Sequence, residues 1–187
     1  SKQANFTDVA LLCKKVVESK KELAKDLSIK LQFILPPEEI TEASYIHLTE
    51  IQPHLTTQTV SDFSAPVDLK WFTILISRLL DICLFLASSE EDPVVELKTS
   101  REGLESVRID LLGSSPEIEP RFLEDILSRY FGKLGSQTNL RLSSGLEGYI
   151  VKTISSELDI PLEIKMQTHP SKISINLKLT KVPQVTG

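Results

Sequence analysis

"VDLKWFTILISRLLDICLFLASS", residues 67–89, decides the fold of this chain. Asp68 stands where a helix N-cap belongs, and apolar residues then recur at helical spacing to Ala87 before the polar run "SSEEDP" stops them. Arg78 and Asp81 interrupt the apolar run, which is too short to span a bilayer comfortably, so the pattern predicts a buried helix over 69–87. Trp71, Phe72 and Phe85 then read as core side chains.

Working outward, Thr7 or Asp8 is a plausible N-cap for a helix running to about Lys25, with Val9, Leu12, Cys13, Val16 and Val17 on its apolar face. "SIKLQFIL" (28–35) alternates Ile29, Leu31, Phe33 and Leu35, the period of a half-buried strand, and Pro36-Pro37 ends it. Residues 38–58 are acidic at their start and weakly periodic, which suits a short helix with a loop; "TVSDF" (59–63) resembles a short strand. Beyond the long helix, "VVELKTS" and "ESVRIDLLG" read as strands joined by a turn near Glu102-Gly103. Pro120 opens a helix to about Phe131, and a loop reaches Ser144. A helix over Leu146–Leu158 then precedes a hairpin of "LEIKMQT" and "KISINLKLT" turned at "THPSK". The order predicts an α/β (α+β) fold, a two-layer sandwich with an open mixed sheet and helices on one face. The whole of 1–187 is expected to be a single domain with an atypical insertion near 38–63.

Composition excludes several functions. With 21 basic against 26 acidic residues, a net charge of -5 and no basic run, the chain is not expected to bind nucleic acid or anionic membrane. The start "SKQANFTDVALL" lacks the order of a secretory signal, and a cytoplasmic location is expected. Cys13 and Cys83 fall in apolar helical patterns, as reduced core thiols do, and supply too few ligands for a structural zinc site. His47, His54 and His169 share no metal-ligand spacing. Ser114, Ser115, Ser143 and Ser144 have no base and acid in the sequence to activate them. The carboxylates of "PEIEPRFLED" surround a helix start, where they favour the macrodipole, so no metal site is read there.

Four segments together resemble the ATP-binding domain of sensor histidine kinases, the Bergerat or GHKL fold, over nearly the whole chain. "NFTDVALLCKKVVESKKELAKDLSIKLQFIL" is similar to the family's opening, a short strand segment and helix leading to a strand. "VDLKWFTILISRLLDICLFLASS" resembles "D-x-x-x-L-x-x-v-L-x-N-L-l-d-N-A-i-k-y-t", with Asp68 in place. The two asparagines that help hold magnesium fall on Arg78 and Ile82, and the lysine that follows falls on Phe85. "VRIDLLGSSPEIEPRFLEDILSRYFGK" resembles "v-x-i-x-V-x-D-n-G-p-G-I-p-x-e-x-l-x-x-i-F-e-r-F-y-r" and keeps the aromatic pair Tyr130 and Phe131. The adenine-binding aspartate falls on Gly113, and its glycines fall on Ser115 and Glu117. "SSGLEGYIVKTISSEL" resembles "G-t-G-L-G-L-y-I-V-k-x-i-v-e-l", keeping Gly145 and Leu146 but placing Glu147 where a second glycine belongs.

The resemblance implies a nucleotide site, and the substitutions imply its loss. Gly113 offers no acceptor to an adenine amino group, and an unpaired buried donor costs about 1 to 3 kcal/mol. Ile82 and Arg78 supply no oxygen ligand to magnesium, and Arg78 adds a repelling charge, while leaving metal-free nucleotide binding as an alternative. Glu147 puts a carboxylate beside the expected triphosphate.

The expectation is a domain of a two-component signalling protein that resembles a kinase but does not grip ATP or magnesium. Its role would be regulatory, through a protein partner: its own dimerisation helices or a response regulator, with a homodimeric parent protein compatible with either. An active histidine kinase with atypical ATP binding is the alternative, and an unrelated adaptor with a helix-covered sheet is a third reading. Leu134, Leu140 and Leu142 are expected to pack over an emptied pocket.

Overall fold

The computed structural model describes residues 6–35, 63–119 and 147–181. The expected insertion near 38–63, the helix from Pro120, the loop to Ser144 with its leucines, and His47, His54, Tyr130, Phe131, Ser143, Gly145 and Leu146 lie outside the described residues, apart from Phe63 at the insertion's end.

A short strand β1 (Phe6–Asp8) leads into helix α1 (Val9–Ser19), and Asp8 caps the helix by accepting from the Leu11 amide at 2.9 Å. The sequence pattern predicts one helix to about Lys25; the chain instead breaks at Lys20 and resumes as α2 (Lys21–Asp26). Ser19 Oγ donates to the Val16 carbonyl at 2.6 Å, and the Lys20 amide donates to the Val17 carbonyl three residues back. Such local bonds tighten the last turn and compete with the helical ladder. Ser28, with φ of 57°, then turns the chain so that the Ile29 amide reaches the Ala24 carbonyl at 2.8 Å.

Strand β2 (Lys30–Ile34) follows, and β3 (Ser64–Pro66) pairs with β1. Of the strand expected over 59–63 only Phe63 is described, in the turn before β3; 59–62 lie outside the described residues. Helix α3 (Leu69–Ala87) has the bounds that the periodicity predicts, and Asp68 caps it by accepting from the Trp71 amide at 3.0 Å. Strands β4 (Val94–Glu102) and β5 (Ser106–Ser114) form a hairpin whose turn needs Gly103, at φ of 68°. Helix α4 (Glu147–Glu157) and the hairpin β6 (Leu162–Gln167) and β7 (Lys172–Thr180) complete the described chain.

The main sheet has the order β2-β4-β5-β7-β6, with β2 parallel to β4 and the other pairs antiparallel. Alternation divides it into two faces. Val95, Leu97, Val107, Ile109, Leu111, Ile173, Ile175, Leu177 and Leu179 are buried, and α1, α3 and α4 join them in one core. The intervening residues form a more polar face on which Arg108 meets Asp110 at 2.9 Å and Lys178 meets Glu102 at 3.3 Å. That is the expected two-layer sandwich with a mixed sheet. No described helix is long and apolar enough to cross a membrane.

Candidate functional site

Of the residues singled out from the sequence, Arg78, Ile82 and Phe85 lie on α3 and Gly113 near the end of β5. Ile82 has no exposed surface and Phe85 is also buried. Neither side chain carries an oxygen for a cation. One helical turn before Ile82, Arg78 is half-buried, its Nη1 3.8 Å from Asp81 Oδ2. That separation is an ion pair without a hydrogen bond.

Asp81 is the residue that sequence reasoning left without a role. Its carboxylate is buried, and Lys20, from the break between α1 and α2, meets Oδ1 at 2.7 Å. The signal was present in the sequence: an acidic residue inside an apolar helix has to find a cation, because burying it alone is prohibitively costly. Which cation answers is fixed by the path of the chain and by nothing local.

Gly113 lies at the last pair of the β4–β5 ladder, opposite Val95 on one side and Ile173 on the other. A Cβ added there would meet Val95 Cγ2 at 3.5 Å, Cys83 Cβ at 3.6 Å and Ile173 Cγ2 at 3.8 Å. Those are ordinary contact distances, so a methyl group fits, and its three nearest neighbours are all apolar. Burial pushes the Cys83 thiol up to about 12, so at neutral pH it is an uncharged apolar neighbour. Cys13 is pushed up to about 12 as well, chiefly by burial.

Beyond Gly113 the chain leaves the sheet on a polar hinge. Ser114 Oγ accepts from the Val94 amide at 3.0 Å and sits 3.3 Å from the Val94 carbonyl. Ser115 is fully buried; its amide donates to the Ser171 carbonyl and its hydroxyl to the Pro116 carbonyl at 2.8 Å. Its hydroxyl is committed to backbone. Glu117 is exposed, and Ile118 beside it turns into the core. Glu147 is the first residue of α4, and α4 packs on α3. The structure therefore brings Cys83, not its neighbour Ile82, against Gly113, and Arg78 lies one turn before Ile82 on the same helix. His169 stands apart in the exposed β6–β7 turn, at φ of 64°. Among the described residues no three His, Cys, Asp or Glu side chains are grouped as metal ligands.

No protein-family model matches the sequence, and no curated protein matches it either. Solved structures do match by shape. The nucleotide-free catalytic domain of histidine kinase ThkA superposes with a TM-score of 0.65 at 15% identity, covering 96% of this chain and 98% of that one. The mycobacterial sensor histidine kinase MprB gives 0.66 at 14% identity, covering 97% and 99%. ThkA in complex with the response regulator protein TrrA gives 0.63 at 15% identity, covering 97% of this chain and 42% of that one. The chain has the fold of a histidine kinase catalytic domain, the GHKL architecture.

Proposed function

We propose that this domain is a kinase-like module of two-component signalling that works by engaging a protein partner and does not hold Mg-ATP. The observation that carries the reading is the setting of Gly113. A side chain at this position would start within 3.8 Å of Val95, Cys83 and Ile173, and Ile82, the neighbour of Cys83 in α3, is fully buried. Adenine recognition needs an acceptor, and this wall has none. Magnesium on a triphosphate needs oxygen ligands, which Ile82 and Arg78 do not supply.

Without nucleotide the phosphoryl-transfer machinery has neither its substrate nor its counter-charge, so the role left to the fold is recognition. ThkA, similar in fold, has been seen bound to a response regulator protein, which makes a signalling protein the natural class of partner for this chain. A cytoplasmic setting and a single domain over 1–187 belong to the same proposal.

Thermal melting with and without saturating Mg-ATP or ADP tests it. A ligand at about 100 times its Kd adds about 2.7 kcal/mol to the folded state, a shift no melt would miss. An unchanged melt is expected. A nucleotide-dependent rise would favour an active histidine kinase with atypical ATP binding, and phosphoryl transfer to a supplied helical hairpin would establish it.

A further inference from the structure

The outward side of α3 changes character along its length. From Leu79 to Ala87 every residue is buried, whereas the first half of the helix leaves a stripe open. Trp71, Ile74 and Arg78 follow one another at i, i+3 and i+7 and therefore share that stripe. Trp71, expected in the core, is instead 40% exposed because it lies on the helix face away from buried Phe72, and the Arg78 side chain is 39% exposed. Ile74 between them is partly buried against the core.

The charges on this stripe are unbalanced. Lys70 Nζ lies 5.8 Å from the centre of the Trp71 ring. Lys20 and Arg78 flank the single carboxylate of Asp81, and Lys20 at 2.7 Å holds it far more closely than Arg78 at 3.8 Å. Among the described residues the Arg78 guanidinium makes no hydrogen bond, so its planar fork of donors is unspent. With Lys20 and Asp81 paired and largely buried, the cations left open on the stripe are Lys70 beside Trp71 and Arg78 two turns on, in a chain whose net charge is -5.

We propose that the Trp71–Ile74–Arg78 stripe is the docking surface for an acidic, apolar segment of a partner protein, with a partner carboxylate taken bidentately by Arg78 and an apolar side chain on Trp71. The inference rests on reading the domain as a protein-binding module, and it adds the surface and the partner's chemistry. Charge complementarity selects the occupant. A half-buried guanidinium without a bonded acceptor among the described residues fits a planar carboxylate, and a tryptophan about 10 Å along the helix, seven residues at the α-helical rise, gives the partner an apolar anchor. Tryptophan and arginine are also the residues on which binding energy concentrates at interfaces. A small free anion would use Arg78 alone and leave Trp71 without a purpose.

Trp71 is the only tryptophan in the chain, so its emission reports directly on this surface. A displayed library of random helical peptides is selected against the intact chain, with Arg78→Glu as the counter-selection. Winning peptides are expected to carry an acidic residue about two turns from an apolar one and to shift Trp71 emission saturably. Arg78→Glu is expected to weaken them about tenfold or more, and exchanging the peptide's acid for lysine to restore binding to that variant. Arg78→Gln, which brings no charge next to Asp81, guards against misfolding and should weaken binding with an unchanged melt. Lys165→Glu, on the far face of the sheet, should change nothing.

Peptides that lack acids, or that bind the Arg78 variants as well as the parent, overturn the proposal. So does inorganic phosphate giving the same Trp71 response, which would make the site a small-anion site. An Arg78-dependent dimer in sedimentation would assign the stripe to a second copy of this chain and overturn it too. Mg-ATP melting stands apart from all of these: nucleotide binding with intact peptide binding would remove the proposed function and leave the surface.

Discussion

Replacing Gly113 separates an apolar wall from a polar pocket more sharply than any other single change. Its Cβ position lies 3.5 to 3.8 Å from three apolar atoms, and its φ is not in the left-handed region, so Gly113→Ala should fit without strain. The substitution restricts the unfolded chain and is expected to stabilise the fold by about 0.4 to 1 kcal/mol. Gly113→Asp keeps that tolerated Cβ and then brings a carboxyl group next to Val95, Cys83 and Ile173, whose nearest atoms are all carbon. If burial lifts that carboxyl by about 2 to 3 pH units, the variant loses about 3 to 4 kcal/mol at pH 7. The sign is fixed by linkage. A folded-state value above the unfolded one, which is about 3.9, means that the penalty is largest at neutral pH and shrinks by about 1.4 kcal/mol per unit as pH falls through the raised value. Gly113→Asn, which cannot titrate, should cost about 1 to 3 kcal/mol with no such slope. Urea titrations of the three variants between about pH 4 and 7.5, analysed by linear extrapolation, measure all of this. An aspartate variant within about 1 kcal/mol of the parent and flat with pH would mean that the carboxylate reaches water. The wall would then be a pocket, and the argument against nucleotide would lose its basis.

Two further outcomes follow from the same core. Lys20→Met should strip Asp81 of its close partner and destabilise by about 3 to 5 kcal/mol, while the double change Lys20→Met with Asp81→Leu should recover most of the loss. A coupling below about 0.5 kcal/mol in that cycle would show that the pair does not hold α3 to the α1–α2 junction. For the thiols, folded values of about 12 against an ordinary 9.0 mean stability that is complete below pH 9 and lost as pH rises toward 12. The loss is about 1.4 kcal/mol per unit for each thiol, and Cys83→Ala should halve the slope; an unchanged slope would mean that Cys83 is not desolvated.

Much of the architecture was legible in the chain because it is written in short-range patterns. The caps Asp8 and Asp68, the bounds of α3, and the alternation in β4, β5, β6 and β7 depend on residues a few positions apart, and local propensity agrees with the final fold. The break at Lys20 was missed because helical periodicity continues on both sides of it. The stop comes from a serine bonding back to its own turn. The edge β2 could be recognised as a strand, but its parallel pairing with β4 could not, since pairing is decided by where the connections run.

The candidate site divides in the same way. Residue types alone established that Ile82 and Gly113 offer no ligand groups, because an isoleucine and a glycine are poor ligands in any environment. Only the tertiary structure decided that Gly113 faces Cys83 and two strand neighbours. It alone also decided that the buried charge of Asp81 is met by Lys20 at hydrogen-bond distance, while Arg78 stays 3.8 Å away and makes no hydrogen bond among the described residues. Composition and spacing fix what a side chain can do. What it meets is set by chain segments far away in sequence, and a buried charge or an open guanidinium gains its meaning from that encounter.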